Sequence, residues 1–229
     1  MRLQALLVAS LALLPAAARG AQPENVSARD LYLQSSGTLL GIKCRLLLRD
    51  GSGRFVAAGP DSVFHTSQHI RLEVETNVPG FLYVLQQGSD TTWQVLFPSA
   101  EIRDNNNRVA PAKAVMVPRT EDFFFDEVAG KEHLFLVLAR APEPDLERLL
   151  ELVRSRAANQ AAGRQDDAAP SLYKSLSVKM TGDLASRNLR TSKTGDQETD
   201  PLAQNAIYVV NTERSEARVV CEVVLTHER

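Results

Sequence analysis

Neither sign of charge dominates this chain: 26 Lys and Arg stand against 28 Asp and Glu, a formal net charge of -2 at pH 7, with the two signs interspersed. A protein that binds nucleic acid or an anionic membrane through bulk electrostatics needs a clustered basic excess, so both partner classes are read against. Long apolar runs are missing too. The run Leu3 to Leu14 is about a dozen residues, short of the roughly 20 needed to span a bilayer as a helix, and nothing later is longer. The sequence has no Gly-x-Ser-x-Gly elbow and no internal repeat. Cysteine is almost absent, with two in 229 residues. No nucleophile, ligand or cofactor signature emerges, so no cofactor is expected.

What is present first is a leader. Arg2 supplies a charged start, Leu3 to Leu14 an apolar stretch, and Pro15 with Ala16, Ala17 and Ala18 a small-residue cleavage region, the layout of a secretory signal. Cleavage is expected after Ala18 or Gly20. This gives a signal peptide over 1–20, a linker over 21–37 and an exported protein, periplasmic or extracellular. The sequon Asn25-Val26-Ser27 would be a glycosylation site only in a eukaryotic secretory route.

Strand signals fill most of the remainder. Ile42, Cys44, Leu46 and Leu48 share one parity against Lys43, Arg45 and Arg49, and Val219, Cys221, Val223 and Leu225 share another against Glu222 and Thr226, so both sulfurs are expected to point inward. In an oxidising compartment two readings stand. Cys44 and Cys221 form a disulfide, which closes a loop of about 177 residues and stabilises by roughly 5 kcal/mol in the chain-entropy model. Or they are two buried thiols acting as small hydrophobes.

Between them, Asp50-Gly51-Ser52-Gly53 reads as a turn, and Ile70 to Glu75 alternates cleanly as a sheet with one wet face. Asn77-Val78-Pro79-Gly80 reads as a tight turn, most simply type II with Gly80 at positive φ. Phe81 to Gln87 and Trp93 to Phe97 form a hairpin that Pro98 stops. Ala114 to Val117, Phe123 to Phe125 and Leu134 to Leu138 continue the pattern.

The period then changes. Leu146, Leu149, Leu150 and Val153 lie at i, i+3, i+4 and i+7 in a helix over 144–158, with Arg154 and Arg156 expected in its last turn. In the closing region, 159–229, Asn159 to Asp167 and Thr191 to Pro201 read as polar loops. Leu172, Leu176, Val178 and Met180 share a strand parity, and Ile207 to Val210 with Val219 to Leu225 reads as a C-terminal hairpin. The expected fold is mainly β: an antiparallel β-sandwich-like domain over 38–158 with one amphipathic helix packed on it, completed by the C-terminal strands.

Arg71 to Glu75, Gly80-Phe81-Leu82-Tyr83-Val84, Trp93, Leu96-Phe97-Pro98, the Asn105 to Val109 loop, Val117-Pro118, Gly130-Lys131-Glu132 and Leu136 to Arg140 together resemble the bacterial domain of unknown function family 4384, most strongly over residues 40 to 155. The closing Val219 to His227 strand resembles the tail of full-length secreted members. The resemblance implies a β-sandwich-like module, exported in many members and without established catalytic residues. Many members have an aromatic in the first strand where this chain has Cys44, so a family-wide disulfide does not follow.

The remaining candidates are weighed one by one. His65 and His69 have the spacing of a helical zinc pair, but the region reads as a strand edge with no third ligand. The Asp104-Asn105-Asn106-Asn107 loop is rich in oxygen, yet one carboxylate is little charge for calcium, and self-satisfied turn residues explain it. Glu73 and Glu75 sit about 7 Å apart on one face, a spacing that a paired-carboxylate hydrolase uses and that solvated strands also show. Trp93, Asp104, Asn105 and Asn106 remain as a candidate ligand surface. The expected function is a non-catalytic exported module that binds a protein or cell-wall partner. The alternative is a hydrolase with a carboxylate site of unrecognised type.

Overall fold

The computed structural model describes residues 26–35, 37–99, 106–160 and 168–229, apart from the side chains of 156–160, 168 and 169. The expected signal peptide therefore lies outside the described residues. The linker does not lie wholly outside, because it contains a helix, α1 (Ala28–Gln34), capped by Ser27, whose side chain accepts from the Asp30 N–H.

Two sheets face each other. The first contains β1 (Leu40–Arg49), β2 (Phe55–Ala58), β4 (His69–Thr76), β8 (Val115–Val117), β9 (Phe123–Phe124), β11 (Leu189–Lys193) and β12 (Ala206–Asn211), with the path β11-β12-β1-β4-β8. The second contains β3 (Val63–His65), β5 (Gly80–Gln87), β6 (Trp93–Phe97), β7 (Arg108–Val109), β10 (Gly130–Ala139) and β13 (Arg218–Glu228), with the path β3-β13-β10-β5-β6. Every pairing is antiparallel except the parallel β3–β13 pair. Strand parity makes the core: Ile42, Cys44 and Leu46 of β1 and Leu72 and Val74 of β4 meet Leu82, Leu136, Leu138 and Cys221 from the opposite sheet. The fold is thus mainly β and sandwich-like, as the alternation predicts.

The outer faces are also covered. On the first sheet, α1 places Ala28 and Tyr32 against Ala206, Tyr208 and Val210, with Tyr32 and Tyr208 edge to face at 5.5 Å. On the second sheet, α2 (Pro144–Gln160) lays Leu146, Leu149 and Leu150 over Tyr83, Leu85, Phe135 and Val137. The Tyr83 hydroxyl donates to Glu147 at 2.5 Å and accepts from the Glu143 N–H at 3.1 Å, which ties the start of α2 to β5.

Several expectations change. Leu172 to Met180 is helix α3 (Ala168–Leu184), not a strand. Leu172, Leu176 and Met180 recur every four residues, a helical face as well as an even parity, and Val178, which only the strand reading buries, is 70% exposed. The outer face thus holds two helices where one was expected. α2 runs on to Gln160, so Arg154 and Arg156 are not in its last turn. Residues 191–193 belong to β11 rather than to a loop, while 161–167 lie outside the described residues.

β12 and β13 are not a hairpin. β12 pairs with β1 and β11, and β13 pairs with β10 and β3 in the opposite sheet. Likewise 77–79 crosses between sheets, and Gly80 is not a positive-φ residue. Glycine is needed at position 80 because a Cβ there would stand 2.5 Å from the Ala139 carbonyl oxygen. Among the described glycines, positive φ falls instead on Gly37, at 82°, and on Gly53, at 83°, in the β1–β2 connection.

Candidate functional site

Cys44 and Cys221 are both fully buried in the core between the sheets, and both are free thiols. Burial pushes Cys221 up to about 12 and raises Cys44 well above the ordinary thiol value, with the Cys221 charge adding to it. Such thiols are poor nucleophiles.

Glu73 and Glu75 are each engaged by a cation. In the β1–β4 register Lys43 stands opposite Glu75 and Arg45 opposite Glu73. Lys43 Nζ reaches Glu75 at 2.7 Å, and Arg45 reaches one oxygen of Glu73 through Nε at 2.9 Å and Nη2 at 2.6 Å. Arg45 also donates to the Pro201 carbonyl at 2.9 Å. Each carboxylate is held by a largely buried cation on a face that the sequence reads as wet.

Of the surface expected around Trp93 and the Asp104 loop, the two described residues, Trp93 and Asn106, are not brought together. Asp104 and Asn105 lie outside the described residues. Asn106 satisfies its own turn, accepting from the Arg108 N–H at 2.8 Å. Trp93 pairs with Gln87 at one end of β5 and Arg108 with Phe81 at the other, so Trp93 and Asn106 are separated by about 20 Å of strand. Trp93 is half-buried and stacks with Phe135 at 5.3 Å and Tyr173 at 5.9 Å, and it lines a separate groove against α3 with Tyr173, Lys174 and Val178. His65 and His69 sit on separate strands, β3 and β4. His69 Nδ1 lies 3.7 Å from Asp122.

A cavity lies at one end of the sandwich, where the apolar core gives way to polar residues at inward positions. Register builds it. Gln94, Gln86 and Leu134 stand side by side across β6, β5 and β10, and Glu132 stands opposite Leu225 on β13. Leu82 and Val84 face the core, so the same parity turns Gln86 inward; Leu134 and Leu136 do the same for Glu132. A bulge between Val84 and Leu85 shifts the β5–β6 register, and the extra residue, Leu96, lines the cavity. The opposite wall is Ile70 with Phe123, Phe124 and Phe125.

The cleft encloses about 300 Å³. Gln86 Nε2 donates to Glu132 Oε2 at 2.5 Å. Burial raises the Glu132 carboxyl above its ordinary value, and the Gln86 hydrogen bond and the charge of His227 oppose that rise. Asp122 is neutralised by Arg71 Nε at 2.5 Å and Arg49 Nη1 at 3.3 Å, one on each oxygen, and Asp126 accepts from the Val128 N–H at 2.7 Å. The three phenylalanines differ sharply. Phe125 is buried in a 5.0 Å stack on Phe64, Phe123 is half-buried, and Phe124 stands 67% exposed at the lip.

Gln86, Gln94 and Glu132 escape a reading that ends each strand where its apolar run ends. Their signal is that the parity of β5, β6 and β10 continues past the apolar residues into polar ones. Among the described residues, no group of three or more His, Cys, Asp or Glu is placed to hold a metal ion, and no helix is long and apolar enough to cross a membrane.

No curated protein and no solved structure matches the chain. Residues 63–142 match the family model described as a domain of unknown function, DUF4384. That segment runs from the start of β3 to just beyond β10 and contains the cleft residues named above except Leu225. From Val63 to Pro142, the chain is a DUF4384 domain.

Proposed function

We propose that this protein is an exported, non-catalytic binding module of the bacterial cell envelope, and that the cleft at the end of the sandwich is where it engages a protein or cell-wall partner. The observation that carries this reading is the composition of the cleft. Polar side chains at core-facing strand positions cost stability unless they are hydrogen-bonded or reach solvent, and here Gln86 and Glu132 pair with each other at an opening. Here they line an opening with an apolar floor and an exposed phenylalanine, the mixture expected of a binding site. The leader-like N-terminus supports export.

The test is crosslinked affinity capture of the tagged chain from the envelope fraction of its host, with an unrelated secreted β-domain as control. Enrichment that is lost in a Phe124→Ala variant is the expected result. Capture that is indifferent to Phe124, or no enrichment over the control, contradicts the reading.

A second reading draws on Glu132. A carboxyl raised by burial beside another acidic residue, Asp126, is the arrangement of a general acid in a hydrolase. It predicts turnover that Glu132→Gln abolishes without lowering the melting temperature.

A further inference from the structure

We infer that the cleft is a subsite for one uncharged sugar unit of a glycan. The inference rests on the binding-module reading and names its ligand class. The lining residues include no Lys, Arg or His, so nothing there matches a phosphate or carboxylate. Cations are matched less well than the three carboxylates suggest: Asp122 already holds Arg71 and Arg49, Glu132 already accepts a hydrogen bond from Gln86, and Asp126 accepts from the Val128 N–H.

What the cleft presents is planar amide and carboxyl groups. Gln86 and Gln94 each carry both a donor and an acceptor, and the Glu132 carboxyl lies beside Gln86. A sugar hydroxyl is likewise both donor and acceptor, so adjacent amides and carboxyls meet hydroxyl pairs in either sense. Below them, Leu96, Leu134 and Leu225 offer apolar contact to ring C–H groups, and Phe124 offers an exposed aromatic face at the lip. About 300 Å³ is the lower end of ordinary ligand cavities, which run to about 1,000 Å³, so the cleft holds one ring while the rest of a chain runs out across the lip.

The test is NMR titration of the ¹⁵N-labelled protein with neutral tetrasaccharides of glucose, mannose, galactose and N-acetylglucosamine, with tetralysine and tetraglutamate peptides as controls. At least one saccharide is expected to shift the amides of Gln86, Gln94 and Glu132 to saturation. Affinity should fall about three- to tenfold in Gln86→Ala and in Phe124→Ala, the hydrogen-bond and ring-contact losses read as binding ratios, and stay unchanged in Val178→Ala on α3. Phe124 and Val178 are exposed, so their variants test the site without risk to folding.

Absence of any saccharide shift, saturation by tetralysine, or saccharide binding indifferent to both cleft variants overturns the inference. A partner protein captured from the envelope without saccharide binding would remove the ligand class and leave the binding-module reading standing. Cleavage of a bound saccharide would keep the ligand class and overturn the non-catalytic reading.

Discussion

Lys43 and Arg45 are 7% and 8% exposed, and each has its counter-charge directly across the β1–β4 ladder. Removing one partner strands the other away from water, so Lys43→Met should destabilise by about 3 kcal/mol, whereas Lys43→Met with Glu75→Met should recover most of that loss. Urea denaturation of the two variants checks this. Glu132 gives the opposite kind of prediction. Its carboxyl is raised in the folded state, so the folded protein binds the proton more tightly than the unfolded chain does. The stability it contributes is present below the ordinary carboxylate range and is lost as pH rises through the raised value. Glu132→Gln should therefore match or exceed the native stability at pH 7, and the difference should close as pH falls to about 4, seen as converging melting temperatures. The two sulfurs make a third test. The chain, unfolded without reductant, should release two reactive thiols, and the folded chain should react slowly; no thiols on unfolding would mean a bridge.

At the scale of elements, α3 shows where sequence patterning is ambiguous. Residues 172, 176 and 180 satisfy a strand parity and a helix face equally, and only Val178 separates them. In the helix Leu176 is 3% exposed and Val178 70% exposed. Leu176→Ala should accordingly cost about 2–3 kcal/mol and Val178→Ala less than about 0.5 kcal/mol, whereas a strand would make both costly. Chemical denaturation of the pair decides it. The inward aim of Cys44 and Cys221, the β5–β6 hairpin and the apolar stripe of α2 were legible, because each is a local period. The assignment of strands to sheets was not. β12 and β13 read as neighbours from their short separation, but their hydrogen-bond partners, β1 and β10, lie far away in the chain. Gly80 misled for a related reason: a Pro-Gly pair suggests a turn, and the contact that demands glycine there comes from Ala139, on a strand remote in sequence.

At the scale of the molecule, the layers run α1, first sheet, second sheet, then α2 with α3. The helices cover the outer faces, and Arg218 on β13 bridges the two that share the second sheet, reaching Glu143 before α2 at 2.8 Å and Asp183 on α3 at 2.7 Å. With the faces covered, the end of the sandwich is where the interior opens. The strand parity that builds the core delivers Gln86, Gln94 and Glu132 to that opening, so fold and site come from one repeating pattern. Of the candidate ligand residues read from the sequence, the two that are described, Trp93 and Asn106, do not line it, because loop composition drew attention to Asn106 and its neighbours and away from the polar ends of strands.

Site-specific photocrosslinking in the host envelope tests the central claim most directly, with a photoreactive phenylalanine analogue replacing either Phe124 at the cleft lip or Leu202, which is 64% exposed and does not line the cleft. The account predicts a discrete crosslinked partner, protein or glycan, from position 124 and none from position 202. Crosslinks from position 202 alone, or from neither position, would contradict it.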